Sequence, residues 1–186
     1  WRHWPAELQD VDGAAARKFA AEHAGEILYH DWRQWVAETQ LGDAQRRART
    51  AGMGLGLYLD IAVGVRPGGA ETWTRRNVFA TGVSMGAPPD LLNSRGQAWN
   101  LSAFSPIGLA AHDYLPFRRM LRSTMAKAGL VRIDHVIGLR RSYWIPENGA
   151  PGGYVAFPTD ILLALIRIEA HRARCMVVGE DLGTVP

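Results

Sequence analysis

Apolar residues recur along this chain with two different periods. Between Ala14 and Glu22 they fall at Ala15, Ala16, Phe19 and Ala20, the spacing of one helix face, with Asp12 or Gly13 at its start. A longer helical pattern runs from about Gly25 to Gly52. Leu28, Trp32, Trp35 and Val36 form one stripe, Ala44, Ala48 and Ala51 continue it, and Gly52 ends it as a C-terminal glycine does. Both tryptophans of that stripe are expected to pack in the core. From Leu55 to Val63 the period becomes two: Leu55, Leu57, Leu59, Ile61 and Val63 alternate with Gly56, Tyr58, Asp60 and Ala62, predicting a strand with Asp60 on its small, polar face. Arg66-Pro67-Gly68-Gly69 then reads as a turn.

Residues 80–108 show no period and are rich in glycine and proline, so a long inserted loop is expected there, carrying Trp99 and Phe104. Phe117, Met120, Leu121, Met125 and Ala128 predict a helix over Asp113 to Gly129. A strand follows, in which Leu130, Arg132, Asp134 and Val136 share one face and Val131, Ile133 and His135 the other. Trp144 to Phe157 reads as turn and loop. Leu162, Leu165, Ile166 and Glu169 predict a helix from Asp160 to about Arg172, entered through Thr159 as N-cap. Last comes the short apolar run Cys175 to Val178, leading into Gly179-Glu180-Asp181-Leu182-Gly183. Strands alternating with helices in this order predict parallel βα units, an α/β fold.

Composition narrows the class. With 186 residues, 47% of them hydrophobic, the chain has the makings of one globular unit with a substantial core. The net charge of +3 rests on arginines that are scattered, and doublets such as Arg46-Arg47 and Arg140-Arg141 do not make a phosphate track, so no nucleic-acid partner is expected. There is no apolar run long enough for a membrane span and no signal peptide. The single cysteine, Cys175, excludes an internal disulfide and fits a reducing compartment, the cytoplasm. The chain begins on Trp1 and stops at Pro186, directly after a strand, and reads as a piece of a longer polypeptide.

The chemistry gathers at the strand ends. Charges leaving water cost several kcal/mol each unless they are paired or put to work. Arg132 and Asp134 on one strand face are therefore either a structural ion pair or part of a site. Asp60, Asp134 and Glu180 all lie toward the carboxyl ends of their strands, where parallel α/β folds bind ligands. Asp60 fits equally a turn-capping carboxylate near Gly64. Three acids on one rim suit two chemistries. In glycoside chemistry Asp134 would be the nucleophile, kept ionised by Arg132, and Glu180 the proton donor, with carboxyls ~5 Å apart if configuration is retained. In a metal site Asp60, Asp134, His135, Glu180 and Asp181 would offer oxygen-rich coordination suited to magnesium or manganese, although His135 has the opposite strand parity from Asp134. Trp99 is read either as a stacking platform for a sugar ring or as an anchor of its loop. A non-catalytic glucan-binding module remains a further possibility.

Four segments sharpen this. Gly56-Leu57-Tyr58-Leu59-Asp60-Ile61-Ala62-Val63-Gly64-Val65, Gly86-Ala87-Pro88-Pro89-Asp90, Arg132-Ile133-Asp134-His135-Val136-Ile137-Gly138 and Val178-Gly179-Glu180-Asp181-Leu182-Gly183-Thr184-Val185-Pro186, in this order and spacing, resemble the 4-α-glucanotransferases of glycoside hydrolase family 77. The resemblance implies a (β/α)8 barrel of the α-amylase clan, of which about three strands are present, so that residues 1–186 form one incomplete catalytic-barrel segment and 80–108 its inserted substrate-binding loop. It implies retaining transfer of an α-1,4-glucan segment to the 4-hydroxyl of an acceptor, acting on maltooligosaccharides with no cofactor and no metal. Asp134 then matches the nucleophile, Glu180 the acid/base and Arg132 the arginine holding the nucleophile. Asp60 matches an aspartate of the sugar cleft and His135 a residue lining the donor site. Pro89, Asp90, Gln97 and Trp99 belong to a loop over the acceptor subsites. The family pattern has glycine and prolines after Trp99, where this chain has Asn100, Ser102 and Ala103. A third essential aspartate of the family lies on a later strand, so the isolated segment is expected to be inactive.

Overall fold

The computed structural model describes residues 1–91, 93–94 and 96–181. A short helix α1 (Ala6–Gln9) precedes α2 (Ala14–Glu22) and α3 (Ala24–Thr50). Strand β1 (Tyr58–Ile61) is followed by α4 (Ala70–Thr74), then β2 (Val83–Ala87) and β3 (Gln97–Ala98). Helices α5 (Pro106–Ala111) and α6 (Leu115–Met125) lead to β4 (Leu130–Ile133). The hairpin β5 (Arg141–Pro146) and β6 (Gly153–Ala156) comes next, and α7 (Thr159–Ala173) and β7 (Met176–Gly179) complete the described chain.

Two sheets result. Strands β1, β4 and β7 form a parallel sheet in the order β1-β4-β7, and β3-β2-β5-β6 form an antiparallel one. The parallel strands are connected through helices, the arrangement of an arc of a (β/α)8 barrel. Their alternation sorts side chains as the sequence predicts: Ile61, Val131 and Ile133 are buried against Phe117, Leu121 and Met125 of α6 and Leu162 and Ile166 of α7. The opposite face carries Asp60, Arg132 and Val178, which are aligned in register across the sheet. Among the described residues no helix is long and apolar enough to cross a membrane.

The helical period located α2, α3, α6 and α7 to within a few residues, and the departures have physical causes. Helix α6 starts at Leu115 rather than Asp113 because Asp113 and Tyr114 are left-handed, at φ 50° and 55°. Thr159 is not the N-cap of α7. Pro158 holds that position, and the Thr159 hydroxyl donates to the Phe157 carbonyl at 3.3 Å. Trp32 and Trp35 are not in the core: they are 54% and 63% exposed, and α3 buries no residue. The stripe exists, but among the described residues no element covers it, and Tyr29 and Trp32 stack on one another instead, 6.0 Å between centroids. Trp144 to Phe157 is mostly a hairpin, with Tyr143 opposite Tyr154. Residues 80–108 are irregular only in part, since β2 and β3 pair there and β2 binds β5.

One buried charge stabilises the helix layer. Glu169, 2% exposed, accepts from Arg122 Nε at 2.7 Å, Arg172 Nη1 at 3.1 Å and Arg118 Nε at 3.3 Å, tying α7 to α6. The Arg122 hydrogen bond outweighs burial and, with Arg118 and Arg172, holds the Glu169 carboxyl below its ordinary value. A depressed folded value means that this stabilisation is present above the unfolded carboxylate range and lost as pH falls through the lower folded value. Glu169→Gln should therefore lower the melting temperature by several degrees at neutral pH, and the gap to the parent should shrink steadily in strong acid. A gap independent of pH in a series of thermal melts would show that the charge does not contribute.

Candidate active site

The parallel register brings together side chains far apart in sequence. Asp60 of β1 and Arg132 of β4 are direct partners across the sheet, so their side chains leave the same face at the same height. Arg132 Nη1 donates to Asp60 Oδ2 at 2.5 Å, and its Nη2 donates to Asp134 Oδ1 at 2.7 Å. The same Nη2 lies 3.8 Å from Glu180 Oε1. One guanidinium thus stands among all three carboxylates. The Asp60 hydrogen bond, opposed by partial burial and supported by Asp134, holds Arg132 above its ordinary value and keeps it cationic at any working pH.

Because Nη2 is shared, the two distances from it bound the gap between the carboxyls: Asp134 Oδ1 and Glu180 Oε1 stand at most about 6.5 Å apart. Both groups remain open to a ligand, with side chains 35% and 20% exposed. Asp60, at 58%, is the most accessible of the three; it pairs with Arg132 rather than capping the turn near Gly64.

The strand carrying Asp134 ends earlier than its sequence pattern suggests. Strand β4 stops at Ile133, and His135 is left-handed at φ 48°, ψ 58°. Strand parity therefore says nothing about where His135 points. The turn instead directs its backbone N–H to Glu180 Oε2, at 2.9 Å. Its ring meets the edge of Trp99, centroids 5.2 Å apart at 80°. Trp99 is attached to β2 by its N–H to the Met85 carbonyl at 2.9 Å, and its indole donates to Gln97 Oε1 at 3.1 Å. Gln97, Trp99 and His135 are thus one group beside the acids. Pro89 and Asp90 join it across a cavity of about 100 Å³, lined also by His135, Ile137, Tyr143 and Tyr154. Sequence reasoning missed the last two, because the β5–β6 hairpin that carries them was not expected.

For a metal the arrangement is unsuited. Asp60, Asp134 and Glu180 converge on a guanidinium that occupies the position a cation would need, and among the described residues no group of three or more His, Cys, Asp or Glu side chains has metal-binding geometry. Leu182, Gly183, Thr184, Val185 and Pro186, the end of the fourth resembling segment, lie outside the described residues.

Comparison with known proteins agrees with the fold. The chain is 45% identical over its whole length to a 4-alpha-glucanotransferase of Mycobacterium tuberculosis and 41% identical to one of Haemophilus influenzae, covering 26% and 27% of those proteins. It spans about a quarter of the length of these curated relatives. The crystal structure of an amylomaltase from Corynebacterium glutamicum superposes over all of the chain with a TM-score of 0.85 at 36% identity, with 28% of that protein covered. An amylomaltase from Streptococcus agalactiae in complex with acarbose shares the fold with a TM-score of 0.86 at 19% identity, with 39% of that protein covered. The family model described as 4-alpha-glucanotransferase matches residues 1–186 from end to end. With strand order, register and family model in agreement, the chain belongs to the 4-alpha-glucanotransferase family, glycoside hydrolase family 77.

Proposed function

We propose that this chain supplies the nucleophile and the acid/base of a 4-α-glucanotransferase acting on α-1,4-glucans by retaining double displacement. The observation that carries the reading is the shared Nη2 of Arg132, which keeps the Asp134 and Glu180 oxygens within about 6.5 Å. That bound reaches the ~5 Å spacing of retaining pairs and leaves little of the ~6.5–9.5 Å range in which an inverting pair accommodates a water.

In the first step the Asp134 carboxylate bonds to the anomeric carbon as the glycosidic bond breaks, and Glu180 gives its proton to the departing 4-oxygen. In the second step Glu180 takes the proton of an acceptor 4-hydroxyl, whose oxygen displaces Asp134 and closes a new α-1,4 bond. Arg132 orients Asp134 through its Nη2 hydrogen bond, while Asp60 holds Arg132 from the other side. Trp99, Gln97, Pro89, Asp90 and His135 form the wall beside the acids. There they would bind sugar rings and shield the glycosyl ester from water until an acceptor arrives. A single buried thiol, Cys175, supports a reducing compartment, the cytoplasm.

The test is product analysis after a full-length protein carrying this segment is given maltotriose. Transfer yields free glucose and a ladder of longer maltooligosaccharides, unchanged by a chelator. Glucose and maltose without the ladder would identify a hydrolase, and a chelator-sensitive reaction would restore the metal-dependent alternative.

A further inference from the structure

Glu180 is held by a contact that its own side chain does not make. Its backbone N–H donates to the Ile133 carbonyl at 2.9 Å, and its carbonyl accepts from Val136 N–H at 2.8 Å. Its Oε2 accepts from His135 N–H at 2.9 Å. All three bonds run to the end of β4 and the turn that follows it, so the proposed acid/base is referenced to the strand bearing the proposed nucleophile. For them to form, the last residue of β7 must lie directly on that turn. That residue is Gly179: a Cβ there would stand 2.7, 2.8 and 2.9 Å from Val136 Cγ2, Cβ and Cγ1. These are separations that no pair of carbons tolerates. The obstruction cannot swing aside, because a β-branched side chain has little χ1 freedom and Cβ is fixed by the backbone.

We propose that Val136 and Gly179 are a matched pair of positioning residues that set the height of Glu180 relative to Asp134. The inference rests on the reading of Glu180 as acid/base. Neither residue reaches the substrate. They act by letting β7 approach the 135–136 turn closely enough for the two N–H groups to hold the Glu180 carboxyl and carbonyl. A methyl at position 179 would push the strand end outward and lengthen both bonds. Misplacing a catalytic group by about 1 Å costs roughly 10²-fold in rate.

The experiment compares G179A, V136G, V136G/G179A and E180Q in a full-length protein carrying this segment, with maltotriose as substrate. G179A should lose roughly 10²-fold in kcat with KM nearly unchanged. Reducing Val136 to glycine removes Cβ, Cγ1 and Cγ2 together and makes room for the new methyl, so V136G/G179A should recover at least about tenfold of that loss. The deficit of G179A should also shrink about tenfold or more for the first-turnover release of fluoride from α-maltosyl fluoride, because that leaving group needs no proton from Glu180. A purely structural defect would affect both donors alike. Should G179A fail to fold, V136G against V136G/G179A carries the same test, the added methyl costing less than about threefold once the Val136 side chain is gone. G179A within about threefold of the parent, or a double variant no better than G179A, would overturn the pairing while E180Q remains inactive. An active E180Q would instead remove the acid/base reading, and the inference with it.

Discussion

Replacing Asp134 by asparagine in a full-length protein carrying this segment is expected to lower transfer from maltotriose by about 10⁴-fold or more while leaving folding and glucan binding in place. The amide keeps the shape of the carboxyl and an oxygen that can still accept from Arg132 Nη2, now 2.7 Å from Asp134 Oδ1. The local geometry therefore has little reason to change. What disappears is the carboxylate proposed to bond to the anomeric carbon and leave it again. The ladder of longer oligosaccharides should vanish with the free glucose. A variant that still builds the ladder would show that Asp134 is not the nucleophile, and a non-catalytic binding module would predict no change in the protein's function at all.

The second large effect is on stability. Gly129 opens β4 at the point where the chain from α3 crosses it: its N–H donates to the Leu57 carbonyl at 3.0 Å, and its carbonyl accepts from Met176 N–H at 2.9 Å. A Cβ at Gly129 would come within 1.7 Å of the Leu55 carbonyl oxygen and 2.6 Å of its carbon. Both atoms are backbone, so no rotamer change relieves the overlap. Gly129→Ala should destabilise the protein by about 3 kcal/mol or more, seen as a reduced denaturant midpoint, with activity falling as β1 is displaced from β4. An alanine variant as stable as the parent would mean that the segment before β1 can move aside freely.

Much of the fold was legible in the sequence, and the illegible parts share a cause. Periodicity records which face of an element is apolar, not what will cover it. It therefore located α2 and α7 well, because Ala16, Leu162 and Ile166 meet other described elements, yet it sent Trp32 and Trp35 into a core that these residues do not reach. The β5–β6 hairpin escaped notice because Tyr143, Trp144 and Ile145 run together as large, half-buried side chains without alternation, followed by a turn full of glycine and proline. At the candidate site, residue types pointed to where charges would gather: Arg132, Asp134 and Glu180 are recognisable as charged residues at the ends of apolar strands. Their mutual arrangement was not. The Asp60–Arg132 partnership depends on pairing between strands 72 residues apart, and the left-handed His135 is a turn conformation that no period predicts.

That long-range partnership has a consequence for how the chain finds its fold. Parallel pairing offers few local cues, and neighbouring strands of similar apolar content can slide past one another. If β1 slipped by one residue against β4, Arg132 would face Leu59 or Ile61 in place of Asp60, and the faces of the two strands would no longer agree. A cation set opposite an aliphatic side chain is heavily penalised, so the slipped pairings are discouraged before the helix layer closes over them. The ion pair at the heart of the cleft thus also serves as a proofreader of alignment, and a kinetic refolding trace of Asp60→Leu, slowed or branched relative to the parent, would be its signature.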